Sequence, residues 1–239
     1  ANDLVNKAEL LFGNNPHFQN RLSVSHLEAV AREYLKLDAG RQFSVTTDYT
    51  IRLELERLYE RTDLKNQFSF EFILSEFQNV VAPWNLWDFN SYKNFPRLGR
   101  ETQLRAPERE RLSHLFNELS QVLNSKGLMT QHQLYQRAAQ IAVNSKPLYD
   151  HIIIDETQDL DPSMLHFVRC LVQKGEDDIM LCGDVGQSLY TRHHSFRKHG
   201  LNVQGRSRKL YVNYRTSRQI KDKAELLNDF LVELLDEPP

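Results

Sequence analysis

Two adjacent acidic residues follow an apolar run in the second half of this 239-residue chain. The run His151–Ile154 leads straight into Asp155 and Glu156, within the sequence IIIDETQD. A short β-branched run without alternation predicts a strand buried on both faces, and ligands of open α/β sheets bind beyond the carboxyl ends of the strands. At such a position Asp155 can hold a hydrated Mg²⁺, and Glu156 can orient and deprotonate a water molecule.

The alternative role for these acids is to cap the next helix, which is predicted from about Pro162 to Gln173. Asp161 suits that role better, because it stands directly before a proline at the first helical position. Capping alone does not explain two further acids placed at the end of an apolar run.

A second buried strand is predicted over Asp178–Cys182, and polar residues follow it in the sequence GDVGQSLY. Gly183 and Gly186 permit tight turns, Gln187 can contact a phosphate or a water, and Tyr190 offers a stacking face to a base. A Gly-Asp pair alone is common in turns. Strand, helix and strand with short connections predict a parallel sheet, so the second half of the chain is expected to be α/β.

A third strand is predicted over residues 209–212, before Asn213-Tyr214-Arg215 and a helix at about 217–235. Arg215 can form two parallel hydrogen bonds to a phosphate, and Tyr214 can stack on a purine; a surface arginine before a serine-capped helix is the alternative. Between residues 191 and 223 the chain has ten Lys or Arg and a single acid. This excess indicates a phosphate-rich partner, and an idle solvated face is the alternative.

The first 144 residues are predicted to be mostly helical. Apolar residues recur at helical spacing over residues 3–12, 26–36, 48–62, 69–79, 107–124 and 130–144, whereas residues 21–25 alternate like a short strand. Segment 82–105 is irregular, and we expect a long loop with packed aromatic side chains. An exposed stacking surface is the alternative. These aromatic residues are Trp84, Trp87, Phe89 and Tyr92.

Composition excludes several classes of protein. Hydrophobic residues make up 40% and charged residues 26% of the chain, and the formal net charge is -2, which excludes a disordered or collagenous chain. No apolar run approaches the roughly 20 residues of a membrane span. Cys170 and Cys182 show neither CxxC nor zinc-ligand spacing, so we expect reduced thiols in a cytoplasmic protein.

The motifs DETQD, GDVGQSLY and NYRTS, in this order, resemble motifs II, III and IV of the UvrD/Rep/PcrA-type superfamily 1 helicases. The resemblance extends over about residues 149–230, and residues 21–36 are more faintly similar to the segment that carries motif Ic. It implies an α/β fold, a partial RecA-like (P-loop NTPase type) parallel sheet with a mostly helical inserted domain. The implied first RecA-like domain comprises 1–40 and 146–205, with the helical domain at 41–145 and the start of a second RecA-like domain at 206–239.

The resemblance also implies roles for individual residues. Asp155 would coordinate Mg²⁺, Glu156 would be the general base for ATP hydrolysis, and Gln187 would sense the γ-phosphate. Tyr214 would stack near the adenine and Arg215 would contact the γ-phosphate. Tyr190 would line the track of a single strand. Together with the basic segment, this predicts contacts to single-stranded or duplex DNA, with RNA left open, by Tyr190, Arg192, Arg206 and Arg208. Arg192 stands where the family usually has a tryptophan.

A larger departure from the family is an absence, since motifs I, Ia, V and VI are not found in the sequence. None of its nine glycines is followed by lysine, so the GK[ST] of a phosphate-binding loop is missing. We therefore expect an internal piece of a 3′–5′ helicase that does not hydrolyse ATP alone. One alternative is a stand-alone degenerate module that binds nucleic acid or a protein without catalysis. A more distant one is a metal nuclease that uses Asp155, Glu156 and Asp184. The oligomeric state stays open.

Overall fold

The computed structural model describes residues 7, 10, 21–37, 43–97, 100, 102–183, 196–208, 217, 219–220 and 223. Eight α-helices lie in this part of the chain: α1 (Leu27–Lys36), α2 (Asp48–Tyr59), α3 (Phe70–Glu76), α4 (Ala82–Trp84), α5 (Phe89–Tyr92), α6 (Ala106–Ser125), α7 (Gln131–Val143) and α8 (Pro162–Cys170). The strands are β1 (Ser44–Val45), β2 (Leu128–Met129), β3 (Ile152–Ile154) and β4 (Ile179–Leu181). Short 3₁₀ segments lie at Asp63–Asn66, Thr157–Asp159 and Phe196–His199.

The helices begin where side-chain caps satisfy their first amide groups. Thr47, Ser69 and Thr130 each accept a hydrogen bond from an amide three residues later. At α7 the Gln133 side chain also accepts from the Thr130 amide, which completes a capping box. The helices predicted at 26–36, 48–62, 107–124 and 130–144 are confirmed to within a few residues. The helix predicted at 69–79 extends further, since a π-helical turn (Phe77–Val81) joins α3 to α4.

Two hydrophobic cores organise the described residues. The first is built from α2, α3, α6 and segment 77–92, and its fully buried members include Leu55, Ile73 and Phe116. The second joins α1, α7 and α8, with Tyr34, Tyr135 and Phe167 in aromatic contact at its centre. The second core supports the acidic residues, because α8 follows them directly in the chain.

Both observed sheets are parallel pairs. β3 pairs with β4 with Ile152 opposite Ile179 and Ile154 opposite Leu181, which confirms the predicted parallel strand–helix–strand unit. β1 pairs with β2, and this pair was not predicted, because two-residue strands are too short to show a periodicity. The prediction that β3 is buried on both faces is wrong: Ile153 and its partner Met180 are 71% and 58% exposed.

Two further predictions have different outcomes. The prediction of a strand at residues 21–25 is wrong, since these residues are exposed and irregular. Alternation alone does not make a strand without a neighbour to hydrogen-bond. The long loop expected at 82–105 is wrong in part, because α4 and α5 lie within it. The packed interpretation of its aromatic side chains is confirmed: Tyr92 is fully buried, and Trp84 and Trp87 pack against the first core. Phe89, in α5, is half-buried.

Several predicted elements lie outside the described residues. They are most of the helices at 3–12 and 217–235, and the strand at 209–212. Among the helices that the structure describes, none is both long and apolar enough to cross a bilayer.

Candidate functional site

The DETQD turn, residues 155–159, begins at the carboxyl end of β3. Asp155 Oδ1 accepts a hydrogen bond from the Glu156 amide at 3.0 Å. Glu156 has left-handed backbone angles, φ 53° and ψ 45°, and Thr157–Asp159 then form a 3₁₀ turn in which the Asp159 amide donates to the Glu156 carbonyl at 3.0 Å. A non-glycine residue in this conformation costs on the order of 1–2 kcal/mol, so its surroundings must hold it there.

The turn is tied to the neighbouring strand. The Cys182 amide donates to the Ile154 carbonyl at 2.8 Å, and the Thr157 amide donates to the Cys182 carbonyl at 2.9 Å. The hydrogen bonding between β3 and β4 therefore continues beyond both strands. A Cβ atom on Gly183 would lie 2.5 Å from Thr157 Oγ1 and would also strike Gln158 Oε1. This close approach explains the glycine at position 183. The backbone there does not have the left-handed angles that a tight turn would need.

The two adjacent carboxylates point away from the cores. Asp155 and Glu156 are exposed, Thr157 is buried, and the Gln158 side-chain amide donates to Glu156 Oε2 at 2.5 Å. Among the described residues no Lys, Arg or His forms an ion pair with either acid. The described part of the chain likewise contains no cluster of three metal-ligating side chains. Mg²⁺ is usually held by one or two carboxylates together with waters and substrate phosphates, so this oxygen donor set suits Mg²⁺.

Asp161 ends the segment that contains the turn. Its side chain caps α8 by accepting from the Met164 amide at 2.9 Å, which confirms the predicted cap. Ser163 Oγ donates to Asp161 Oδ1 at 2.6 Å, and His132 Nδ1 of α7 lies 3.1 Å from Asp161 Oδ2. Burial opposes ionisation, but the bonds from His132, Ser163 and the Met164 amide outweigh it and hold the pKa of Asp161 below its ordinary value.

A second carboxylate fixes the start of β4. Asp178 Oδ2 accepts from Arg169 Nη1 at 2.7 Å and from the Gly175 amide at 3.1 Å. Burial again opposes ionisation, and the Arg169 and Gly175 hydrogen bonds outweigh it, so the pKa of Asp178 is lowered. Because Arg169 lies on α8, this pair connects α8 to the strand that faces the DETQD turn.

The basic segment is described at residues 196–208. Its 3₁₀ turn contacts α4 and α8. The His199 ring lies 5.3 Å from the Trp84 ring of α4, and Gly200 approaches the Arg169 side chain of α8. Leu201 is buried behind it. Arg206 and Arg208 are exposed, as a phosphate-contacting surface requires.

The remaining predicted site residues lie outside the described part of the chain. They are Gln187, Tyr190, Arg192, Tyr214 and Arg215, together with Asp184. Of the predicted catalytic and nucleotide-binding residues, the structure thus describes Asp155 and Glu156, side by side at the sheet edge.

Residues 7–199 match the sequence model of the UvrD/REP helicase N-terminal domain. This match covers more than three quarters of the chain. The chain belongs to the UvrD/REP helicase family. No curated protein matches the chain significantly.

The matched part of this UvrD/REP helicase domain contains Asp155, Glu156, Gln187, Tyr190 and Arg192, whereas Arg206, Arg208, Tyr214 and Arg215 follow it. Two features of the site escaped the sequence analysis. The approach of Thr157 to Gly183 depends on the sheet pairing, and the contact of His132 with Asp161 joins residues 29 positions apart. For these two features, the sequence contained one indication, the glycine at position 183 at the end of a predicted strand.

Proposed function

We propose that the chain is part of an ATP-dependent helicase that couples Mg²⁺-ATP hydrolysis to 3′–5′ movement on single-stranded DNA. Its two halves would be an α/β RecA-like part that carries the DETQD turn and a helical domain inserted at about residues 41–145. The single observation that carries the proposal is the exposed Asp155–Glu156 pair at the carboxyl end of β3, in a chain of the UvrD/REP family.

Each acid has a separate task in this proposal. Asp155 would bind Mg²⁺, which neutralises charge on the phosphates when it is bound. Glu156 would orient the attacking water and accept its proton. The Gln158 amide supports this role, because its hydrogen bond to Oε2 restrains the Glu156 carboxylate. Gln187 and Arg215 would contact the γ-phosphate, and Tyr214 would stack near the adenine.

The nucleic-acid surface is proposed to include Arg206 and Arg208 together with Tyr190 and Arg192. The exposure of both described arginines supports contacts to the phosphate backbone. Phosphate contacts provide affinity without sequence preference, which suits a protein that moves along a strand.

The direct test of the catalytic proposal is Glu156→Gln in the natural protein that contains this sequence. Removing a general base lowers turnover by about 10²–10⁴-fold, whereas nucleotide binding should persist because Gln keeps the side-chain shape. Steady-state ATPase assays and nucleotide binding measure the two effects. Glu176→Gln, an exposed glutamate between α8 and β4, is the matched control. Turnover retained in Glu156→Gln would remove Glu156 from the mechanism.

The DNA surface is tested by reversing two charges. Arg206→Glu/Arg208→Glu should weaken binding of fluorescent oligo-dT and make the salt dependence shallower by about 1.4 in log–log slope, since each phosphate contact contributes about 0.7. Lys146→Glu/Lys174→Glu makes the same change in net charge at two other exposed positions and should leave the slope unchanged. Equal slopes in both double variants would make the Arg206–Arg208 surface irrelevant to DNA.

A further inference from the structure

The backbone of Glu156 is held from two sides. On one side, the Thr157 amide bonds to the Cys182 carbonyl and Thr157 packs against Gly183. On the other side, the chain reaches Asp161 five residues later. Asp161 is attached to α8 by its cap and to α7 by His132. A strained residue persists only where its surroundings determine its conformation, so both attachments bear on Glu156.

The second attachment is a compact polar cluster, which we call the His132 clasp: His132, Asp161 and Ser163. His132 Nδ1 lies 3.1 Å from Asp161 Oδ2 and 3.3 Å from Ser163 Oγ. Ser163 is buried, and the side chains of His132 and Asp161 are only 26% and 22% exposed. The clasp joins the amino-terminal turn of α7 to that of α8, and both helix ends favour a carboxylate at Asp161.

The charged groups around the clasp leave His132 with one close counter-ion. On α8 this group is Asp161. On α1, Glu28 pairs with Arg32 at 2.7 Å and reaches the neighbouring Gln131 at 3.4 Å. His166, also on α8, is exposed and contacts Cys170. The α4 segment that packs on α7 has no charged residue. The His132 side chain therefore acts mainly through its bond to Asp161.

We propose that His132 is a positioning residue for Glu156, and that its bond to Asp161 holds the DETQD turn in place. The imidazole Nδ1 donates to the Asp161 carboxylate, and a hydrogen bond to a charged acceptor is stronger than one between neutral groups. The inference rests on the proposed role of Glu156 for its functional meaning. The coupling itself does not require catalysis, so its test does not depend on turnover.

The test measures hydrogen exchange in the whole chain at the Thr157, Asp159 and Leu160 amides, which are hydrogen-bonded in the turn. His132→Leu should lower their protection factors about two- to tenfold, the net effect of losing one hydrogen bond. His132→Gln keeps a donor and should restore protection.

His114→Gln is the matched control, because His114 is an exposed histidine on α6 and should not affect these amides. Should His132→Leu fail to fold, Ser163→Ala supplies a second perturbation with His132 in place, and should also reduce protection of the turn. The proposal is overturned if neither of these variants changes the three protection factors. It is equally overturned if His132→Gln protects the three amides no better than His132→Leu does. The two proposals can fail separately. Loss of ATPase activity in Glu156→Gln tests the catalytic role of Glu156, whereas the protection factors of the His132 and Ser163 variants test the coupling of His132 to the turn.

Discussion

Glu76 and Glu156 are the same residue type in two regions of the domain, and their surroundings differ in almost every respect. Glu76, the last residue of α3, is 0% exposed and accepts two hydrogen bonds from Arg97, at 2.6 and 2.7 Å, and one from the Tyr92 hydroxyl at 2.7 Å. Arg100 adds a contact at 3.3 Å. Glu156 is exposed and accepts one described side-chain hydrogen bond, from a neutral amide.

The comparison shows how partners decide what a carboxylate does. At Glu76 both oxygens are bonded and the charge is neutralised, so the group holds the irregular segment 82–105 to α3. Burial and the adjacent carboxylate raise the pKa of Tyr92 far above its ordinary value, which keeps its hydroxyl protonated as a donor. Glu156, by contrast, is exposed and pairs with no cation among the described residues.

The largest effect on stability should come from Glu76→Gln. Breaking a buried pair by removing one charge costs about 3–5 kcal/mol, because the Arg97 guanidinium, only 5% exposed, keeps its charge without a counter-ion. Urea denaturation measures the loss. Glu156→Gln and Glu71→Gln, the latter at a 70% exposed residue paired with Arg52, should each change stability by less than about 0.5 kcal/mol. Equal losses at positions 76 and 156 would break the comparison.

A smaller loss is expected from Gly183→Ala. The new methyl group would lie 2.5 Å from Thr157 Oγ1 and 3.0 Å from its amide nitrogen, and overpacking of this kind costs about 1–3 kcal/mol. Gly175→Ala is the control, because a Cβ atom there meets nothing within 4 Å. In the double variant Thr157→Ala/Gly183→Ala the losses should be less than additive, since the hydroxyl clash is removed. Additive losses would mean that the two residues do not meet.

A loss at the lower end of that range is expected from Asp161→Asn, which keeps a good cap and removes the charge. Because the folded-state pKa of Asp161 is lowered, its stabilisation is present above the unfolded pKa, near 4, and is lost as the pH falls through the folded value. The variant should therefore be about 1 kcal/mol less stable at pH 7. The difference from the wild type should shrink toward pH 2 in urea titrations. A difference that stays constant with pH would contradict the charged clasp.

The sequence predicted the local parts of the site well. The apolar run before Asp155 located a strand, the spacing to Asp178–Cys182 predicted a parallel partner, and Asp161 before Pro162 predicted a cap. The strand and the cap were predictable because each depends on residues within a few positions of one another. The pairing of Ile152 with Ile179 is more distant, and it was predictable because a strand–helix–strand unit with short connections favours a parallel sheet. The family was also recognisable from motif order, and the match over residues 7–199 agrees.

What the sequence determined by itself was therefore the order of helices and strands and the pairing of acids with a strand end. Only the tertiary structure decided that Glu156 takes left-handed backbone angles, that Gly183 lies against Thr157, and that His132 reaches Asp161. It also decided that Ile153 is exposed, against its apolar character. A local sequence pattern shows which side chains of a strand are apolar. Whether those side chains are buried depends on which distant segment packs against them, and the local pattern does not identify that segment.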